Sequence, residues 1–123
     1  MNVQRADFEI RQGSSLLKTL IVQENVGGVL EVFDLTGYEA RLMIREKLTD
    51  SSPVIALYSD ALLGTGLTIT AVDGLIEVEI PPTQTSVLDF RLAIYDLEIY
   101  TALDAEVYRI LEGFITLSKE STK

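Results

Sequence analysis

The sequence predicts an all-β domain. Short segments alternating polar and apolar residues recur along the chain, turn residues interrupt them at intervals of about 8 to 12 residues, and no long segment shows the 3.6-residue period of a helix. Together these describe a single antiparallel β-sandwich of about eight strands, with Greek-key or hairpin connections. It is immunoglobulin-like in architecture only, because the chain has no Cys and no Trp to supply the hallmarks of an antibody domain. The expected domain covers residues 1–118, with 119–123 as an unpacked tail.

Ala6 to Arg11 alternates at period two and is broken by Gln12-Gly13-Ser14, which reads as a first strand. Leu16 to Val22 is rich in β-formers and runs to Asn25-Val26-Gly27-Gly28, where paired glycines supply the positive φ of a hairpin turn. A return strand over Val29 to Phe33 would place Leu30 and Val32 on one face and Val29, Glu31 and Phe33 on the other. Asp34 to Gly37 then turns the chain into a half-buried strand. In it Tyr38, Ala40, Leu42 and Ile44 point to the core, and Glu39, Arg41, Met43 and Arg45 face outward.

Lys47 to Pro53 is a polar loop, followed by a strand over Val54 to Tyr58. Gly64 and Gly66 mark another turn before a short strand from Gly66 to Thr70. Asp73-Gly74, set between Leu67, Ile69 and Ala71 on one side and Leu75 to Ile80 on the other, is the strongest hairpin signal in the chain. Pro81-Pro82 removes two backbone donors, so the segment to Asp89 cannot be a central strand, and one short helical turn is expected near 82–88. Phe90 to Tyr100 is a long strand whose apolar face switches midway, which predicts a bulge or a passage between sheets. Ala102 to Ala105 connects it to a last strand over Val107 to Leu117, with a bend expected at Gly113.

Composition narrows the function classes. The chain of 123 residues holds neither Cys nor His, which removes disulfides, the usual zinc sites, imidazole bases and Cys or Ser nucleophile/His pairs. Its formal charge of -9, with Lys and Arg scattered, disfavours binding to nucleic acid. No apolar run approaches the roughly 20 residues of a membrane span. The first residues show no secretion signal, so synthesis in a cytoplasm is expected.

What remains for chemistry is acidic. Glu77 with Glu79, and Asp96 with Glu98, share a strand face in each pair, an arrangement that can bind Ca²⁺ or divide acid and base roles. The plain reading is solvent-facing carboxylates, with Asp96 the exception because it lies in an apolar run and needs Arg41, Arg45 or Arg109 as its neutralising partner. Asp104 and Glu106 with Asp34 or Asp60 are a weaker loop Ca²⁺ candidate, and Gly64-Thr65-Gly66 is a turn rather than a phosphate loop. No catalytic, cofactor or metal residue is therefore assigned. Tyr38 and Tyr95 are expected in the core, and Tyr58, Tyr100 and Tyr108 as contact residues. Arg5, Asp7, Glu9 and Arg11 join them if the first strand is an edge able to extend a neighbour's sheet.

The ordered set Asp7 to Gly13, Asp34 to Arg45, Asp73-Gly74, Tyr95 to Glu98 and Leu111 to Ser118 resembles a family of small phage and prophage structural proteins. It is similar, more loosely, to the immunoglobulin-like N-terminal modules of baseplate and tail-fibre proteins of tailed phages. The resemblance implies a non-enzymatic virion part made in a host cytoplasm. Such a part is an adaptor of the tail, baseplate or fibre-attachment region that contacts other virion proteins and copies of itself in a symmetric assembly, with no cofactor, nucleic acid or membrane. Capsid decoration or a head fibre is the neighbouring alternative. A cell-surface carbohydrate-binding module and a carboxylate-dependent hydrolase are the more distant ones.

Overall fold

The computed structural model describes residues 3–119. The chain is mostly β, with 54% strand against 6% helix, so the predicted class holds. In order the elements are β1 (Gln4–Arg5), β2 (Phe8–Arg11), β3 (Leu16–Ile21), β4 (Gln23–Val26), β5 (Val29–Val32) and β6 (Glu39–Arg45). There follow β7 (Ile55–Tyr58), β8 (Leu67–Thr70), β9 (Leu75–Ile80), the helical turn α1 (Pro82–Thr85), β10 (Leu92–Tyr100) and β11 (Val107–Ser118).

Three sheets result. The largest runs β1-β11-β10-β6-β7, with β2 also on β11; the second runs β3-β9-β8; β4 and β5 form a separate hairpin. The chain therefore has more strands than the eight or so expected. The expected first strand, Ala6 to Arg11, is narrowed to β2 and is preceded by a short strand not expected, β1, and the approach to the glycine turn is a strand of its own, β4. A second correction concerns direction. The sheet is mixed, because β1 and β2 lie parallel to β11, pairing Gln4 with Leu111 and Phe8 with Ile115.

Alternation explains how one core forms. β6 buries Ala40, Leu42 and Ile44 and leaves Glu39, Arg41, Met43 and Arg45 half-exposed, as period two dictates. β9 does the same with Ile76, Val78 and Ile80 against exposed Glu77 and Glu79. These faces meet those of β10 and β11 in a single buried cluster that includes Ile10, Leu35, Leu97, Ile99 and Ile115. Each such side chain contributes about 1.5–3 kcal/mol by leaving water. Leu35 is a surprise, since it sits in the Asp34 to Gly37 turn yet has no exposed surface. The turn folds Leu35 inward while Asp34 accepts hydrogen bonds from the Thr36 amide and hydroxyl outside.

Other expectations are refined. The β8–β9 loop has four residues, Ala71 to Gly74, because Thr70 pairs with Leu75. Only Gly74 has positive φ there, 63°. The β4–β5 loop is the two-residue Gly27-Gly28 turn, both residues at positive φ, with Val26 facing Val29. β10 shows no change of face, burying Ala93, Tyr95, Leu97 and Ile99 throughout. The irregularity lies on its neighbour: Leu97 pairs with Leu111 and Glu98 with Arg109, leaving Ile110 as a bulged residue. β11 continues through Gly113 as one strand.

The helical turn falls where expected and is anchored by a polar core residue. Thr85 is fully buried; its hydroxyl donates to the Ser14 carbonyl at 2.8 Å and accepts from the Gly13 amide at 3.1 Å. Gln12 adds a side-chain bond to the Leu88 carbonyl at 2.9 Å. Together they fix the corner where the chain leaves β2 for β3. Of the expected tail, Lys119 is described and pairs with Asp89 at 2.7 Å, while residues 120–123 lie outside the described residues.

Candidate functional site

Acidic candidates come first. Glu77 and Glu79 stand exposed on β9 opposite Thr68, Thr19 and Leu17, with no convergent partner among the described residues. Asp96 and Glu98 lie on the outer face of β10, and each meets an arginine. Arg41 reaches Glu98 at 2.9 Å and Asp104 at 3.4 Å, and Arg109 lies 3.7 Å from Asp96 and 3.6 Å from Glu112. Arg109 is thus the neutralising partner of Asp96. Burial pushes the Asp96 carboxyl above its ordinary value, with Arg109 opposing. These residues line part of a depression of about 210 Å³ on the outer face, with Arg5, Arg45 and Phe114 at its sides. An ion-paired lattice of this kind holds strands together; each exposed pair contributes about 0–1 kcal/mol.

The loop acids do not converge. Asp104 turns to Arg41, Asp34 to Thr36, and Glu106 accepts from the Tyr38 hydroxyl at 2.7 Å. That bond to Glu106 pushes the Tyr38 phenol up to about 12. Among the described residues no three acids gather as a metal site would require.

The proposed contact residues separate into distinct groups. Arg5, Asp7, Glu9 and Arg11 do lie along an edge of the large sheet and are exposed. Asp7 is structural as well: its carboxylate accepts from the Phe114 amide at 2.9 Å where the strand is interrupted. Arg5 stacks over the Phe114 ring and pairs with Glu112. Tyr58 and Tyr108 are partly buried, Tyr108 beside Tyr38. Tyr100 is a correction, since it is only 8% exposed and lies under the Arg41 guanidinium, 4.4 Å from the ring centroid. It is packed, not presented. Tyr95 is in the core as expected and Tyr38 is partly buried.

The feature that sequence reading understated is the β4–β5 hairpin, an arm whose residues are all exposed. Pairing of Gln23 with Val32 and Asn25 with Leu30 puts Leu30 and Val32 on one face, as the alternation predicted. That face continues the outer face of β3, where Leu17 and Ile21 stand in water. Leu17 is 67%, Ile21 57%, Leu30 61% and Val32 51% exposed. Leu17 and Ile21 on β3 and Leu30 and Val32 on the hairpin are thus four exposed aliphatic side chains. The signal was present in the β-rich run Leu16 to Val22, but the sequence does not say which of its two faces is covered.

A scan against protein-family models finds no match to the chain, and a search of curated proteins finds none.

Proposed function

We propose that this chain is a non-enzymatic structural adaptor, working through protein–protein contacts in the tail, baseplate or fibre-attachment region of a tailed-phage particle. The observation that carries the contact role is the exposed aliphatic face of β3 and the arm, formed by Leu17, Ile21, Leu30 and Val32. The particle is inferred from the resemblance of the ordered motifs alone. In this reading the two larger sheets form the layers of an immunoglobulin-like sandwich, and its margins and arm are the mating surfaces. The partners are other virion proteins and copies of the chain itself, and the site of action is the virion.

The competing readings have less support. A carbohydrate-binding module would gather exposed aromatic rings on one face, whereas the large exposed aromatic among the described residues is Phe114, capped by Arg5. A carboxylate hydrolase needs an acid pair free to act, and both Asp96 and Glu98 lie in ion pairs with arginine. Capsid decoration uses the same surfaces and differs in location.

The test is to express the tagged chain in its source cells while particles assemble and to fractionate the lysate. Co-sedimentation with tail-bearing particles is expected. A chain that stays out of every particle fraction and cleaves a glycan instead overturns the reading.

A further inference from the structure

Two strand edges flank a cavity of about 210 Å³ lined by Gln4, Ala6, Leu20, Gln23, Leu97 and Ile110. The first edge belongs to β1 and β2. Ala6 and Gln12 donate their amides inward, to the Glu112 and Ser118 carbonyls, so alternation turns the backbone groups of Asp7 and Glu9 outward. Arg5, Asp7, Glu9 and Arg11 stand along it, and charges of that kind guard an edge against pairing.

The second edge carries fewer charges, Lys18 among them with its ammonium 5.0 Å from the Phe8 ring centroid. The Val22 amide donates to the Gly74 carbonyl, and the Val22 carbonyl accepts from the Phe33 amide, so β9 and β5 lie one after the other on the same side of β3 and β4. Alternation then points the backbone groups of Leu17, Thr19, Ile21, Gln23 and Asn25 to the opposite side, where no strand pairs among the described residues. From Leu16 to Val26 there is no proline, and the charged residues are Lys18 and Glu24, both at the alternate positions. An edge this long, with only two charged residues and no proline, is open to pairing with another strand.

We propose that a second copy of this chain pairs with the β3–β4 edge, antiparallel, about a two-fold axis through Ile21. In that register Ile21 faces its own counterpart, Thr19 faces Gln23 of the second copy, and Leu17 faces Asn25 of the second copy. All are positions whose backbone groups point outward, so each pair exchanges two hydrogen bonds. The same register matches the charges. Lys18 falls opposite Glu24 of the second copy, and Glu24 opposite Lys18 of the second copy, in the pairs where side chains approach most closely. Within its own chain Glu24 faces Glu31, a like-charge pair that a cation opposite would relieve. Moving the axis to Leu20 or Val22 sets both charges against leucine or valine instead. The interface is isologous, and the exposed Ile21 side chains of the two copies adjoin on its outer face.

This pairing deepens the adaptor reading and rests on it for the assembly in which the dimer stands. The experiment is sedimentation equilibrium of the intact chain and its variants at about 0.15 M salt, where long-range repulsion is largely screened. The chain is expected to be dimeric. Ile21→Lys, at an exposed position, is expected to be monomeric with unchanged circular dichroism and a melting temperature that no longer rises with protein concentration. Glu24→Lys is expected to weaken association roughly tenfold, and the double exchange Lys18→Glu/Glu24→Lys to restore it. Because the chain has no cysteine of its own, Ile21→Cys should cross-link on mild oxidation and Thr19→Cys should not, since only the first meets its own copy. A monomer at about 100 μM, a dimer that cross-links equally through both positions, or a charge exchange that restores nothing overturns the proposal. A monomer that still joins particles overturns the pairing and leaves the adaptor, whereas a dimer that stays out of them does the reverse.

Discussion

Gly113 has no side chain because the Ala6 carbonyl occupies the space where one would sit. The same carbonyl accepts from the buried Tyr95 hydroxyl, and the Phe114 amide donates to the Asp7 carboxylate, so side chains replace the ladder bonds lost at the interruption between β1 and β2. Gly113→Ala is expected to push the edge strand away and to cost about 1–3 kcal/mol, read from urea unfolding. Burial and the nearby Asp7 charge push the Tyr95 phenol up to about 12. A group raised in this way contributes stability below its unfolded value of 10.0 and loses it as pH rises toward about 12. Tyr95→Phe should therefore cost about 1 kcal/mol at neutral pH and flatten the alkaline fall in stability. Asp96 is also raised, so its protonated form favours the fold, and that contribution is lost as pH rises through the folded value. Asp96→Asn is expected to match or exceed the parent at pH 7, by no more than about 1 kcal/mol. The difference should shrink in melts taken toward 3.8, the ordinary aspartate value. At this scale the sequence showed Asp96 needing an arginine but not which one. It could not show Tyr100 buried, because Arg41, far away in the chain, makes the cover.

Among the elements, those with strict alternation were readable and those defined by distant partners were not. β6 and β9 followed from period two, and Gly27-Gly28 and Pro81-Pro82 marked the turn and the helical turn, because each signal is local. The parallel placement of β2 on β11 joins residues 107 positions apart and leaves no local trace. The bulge was expected from the mixed faces of β10, yet it falls on β11 at Ile110, since a register shift belongs to the pair and composition cannot assign it to one member. α1 is held by Thr85 rather than by its own length, four residues being too few to be stable alone. Thr85→Val keeps the shape but leaves the Gly13 amide and Ser14 carbonyl without their partner, and is expected to cost about 1–3 kcal/mol in chemical unfolding.

For the whole molecule, the charge of -9 and the β3–β4 edge, whose Lys18 and Glu24 cancel, act in opposite directions. Two copies repel at long range while the edge attracts at contact. Self-association should therefore strengthen as the screening length falls from about 30 Å at 0.01 M salt to about 8 Å at 0.15 M, measured by sedimentation across that range. The all-β class was legible because nearly every segment voted for it, whereas the division into three sheets depends on which edges meet, and so does the contact surface.

The parallel seating of β1 and β2 on β11 also orders events in time. Residues 4–11 are seated against residues 111–118, which are made later, so β1 and β2 must wait, unpaired, until β11 has been synthesised. Closure of this edge therefore follows the synthesis of β11, and a nascent chain arrested before β11 would leave β1 and β2 open to proteases.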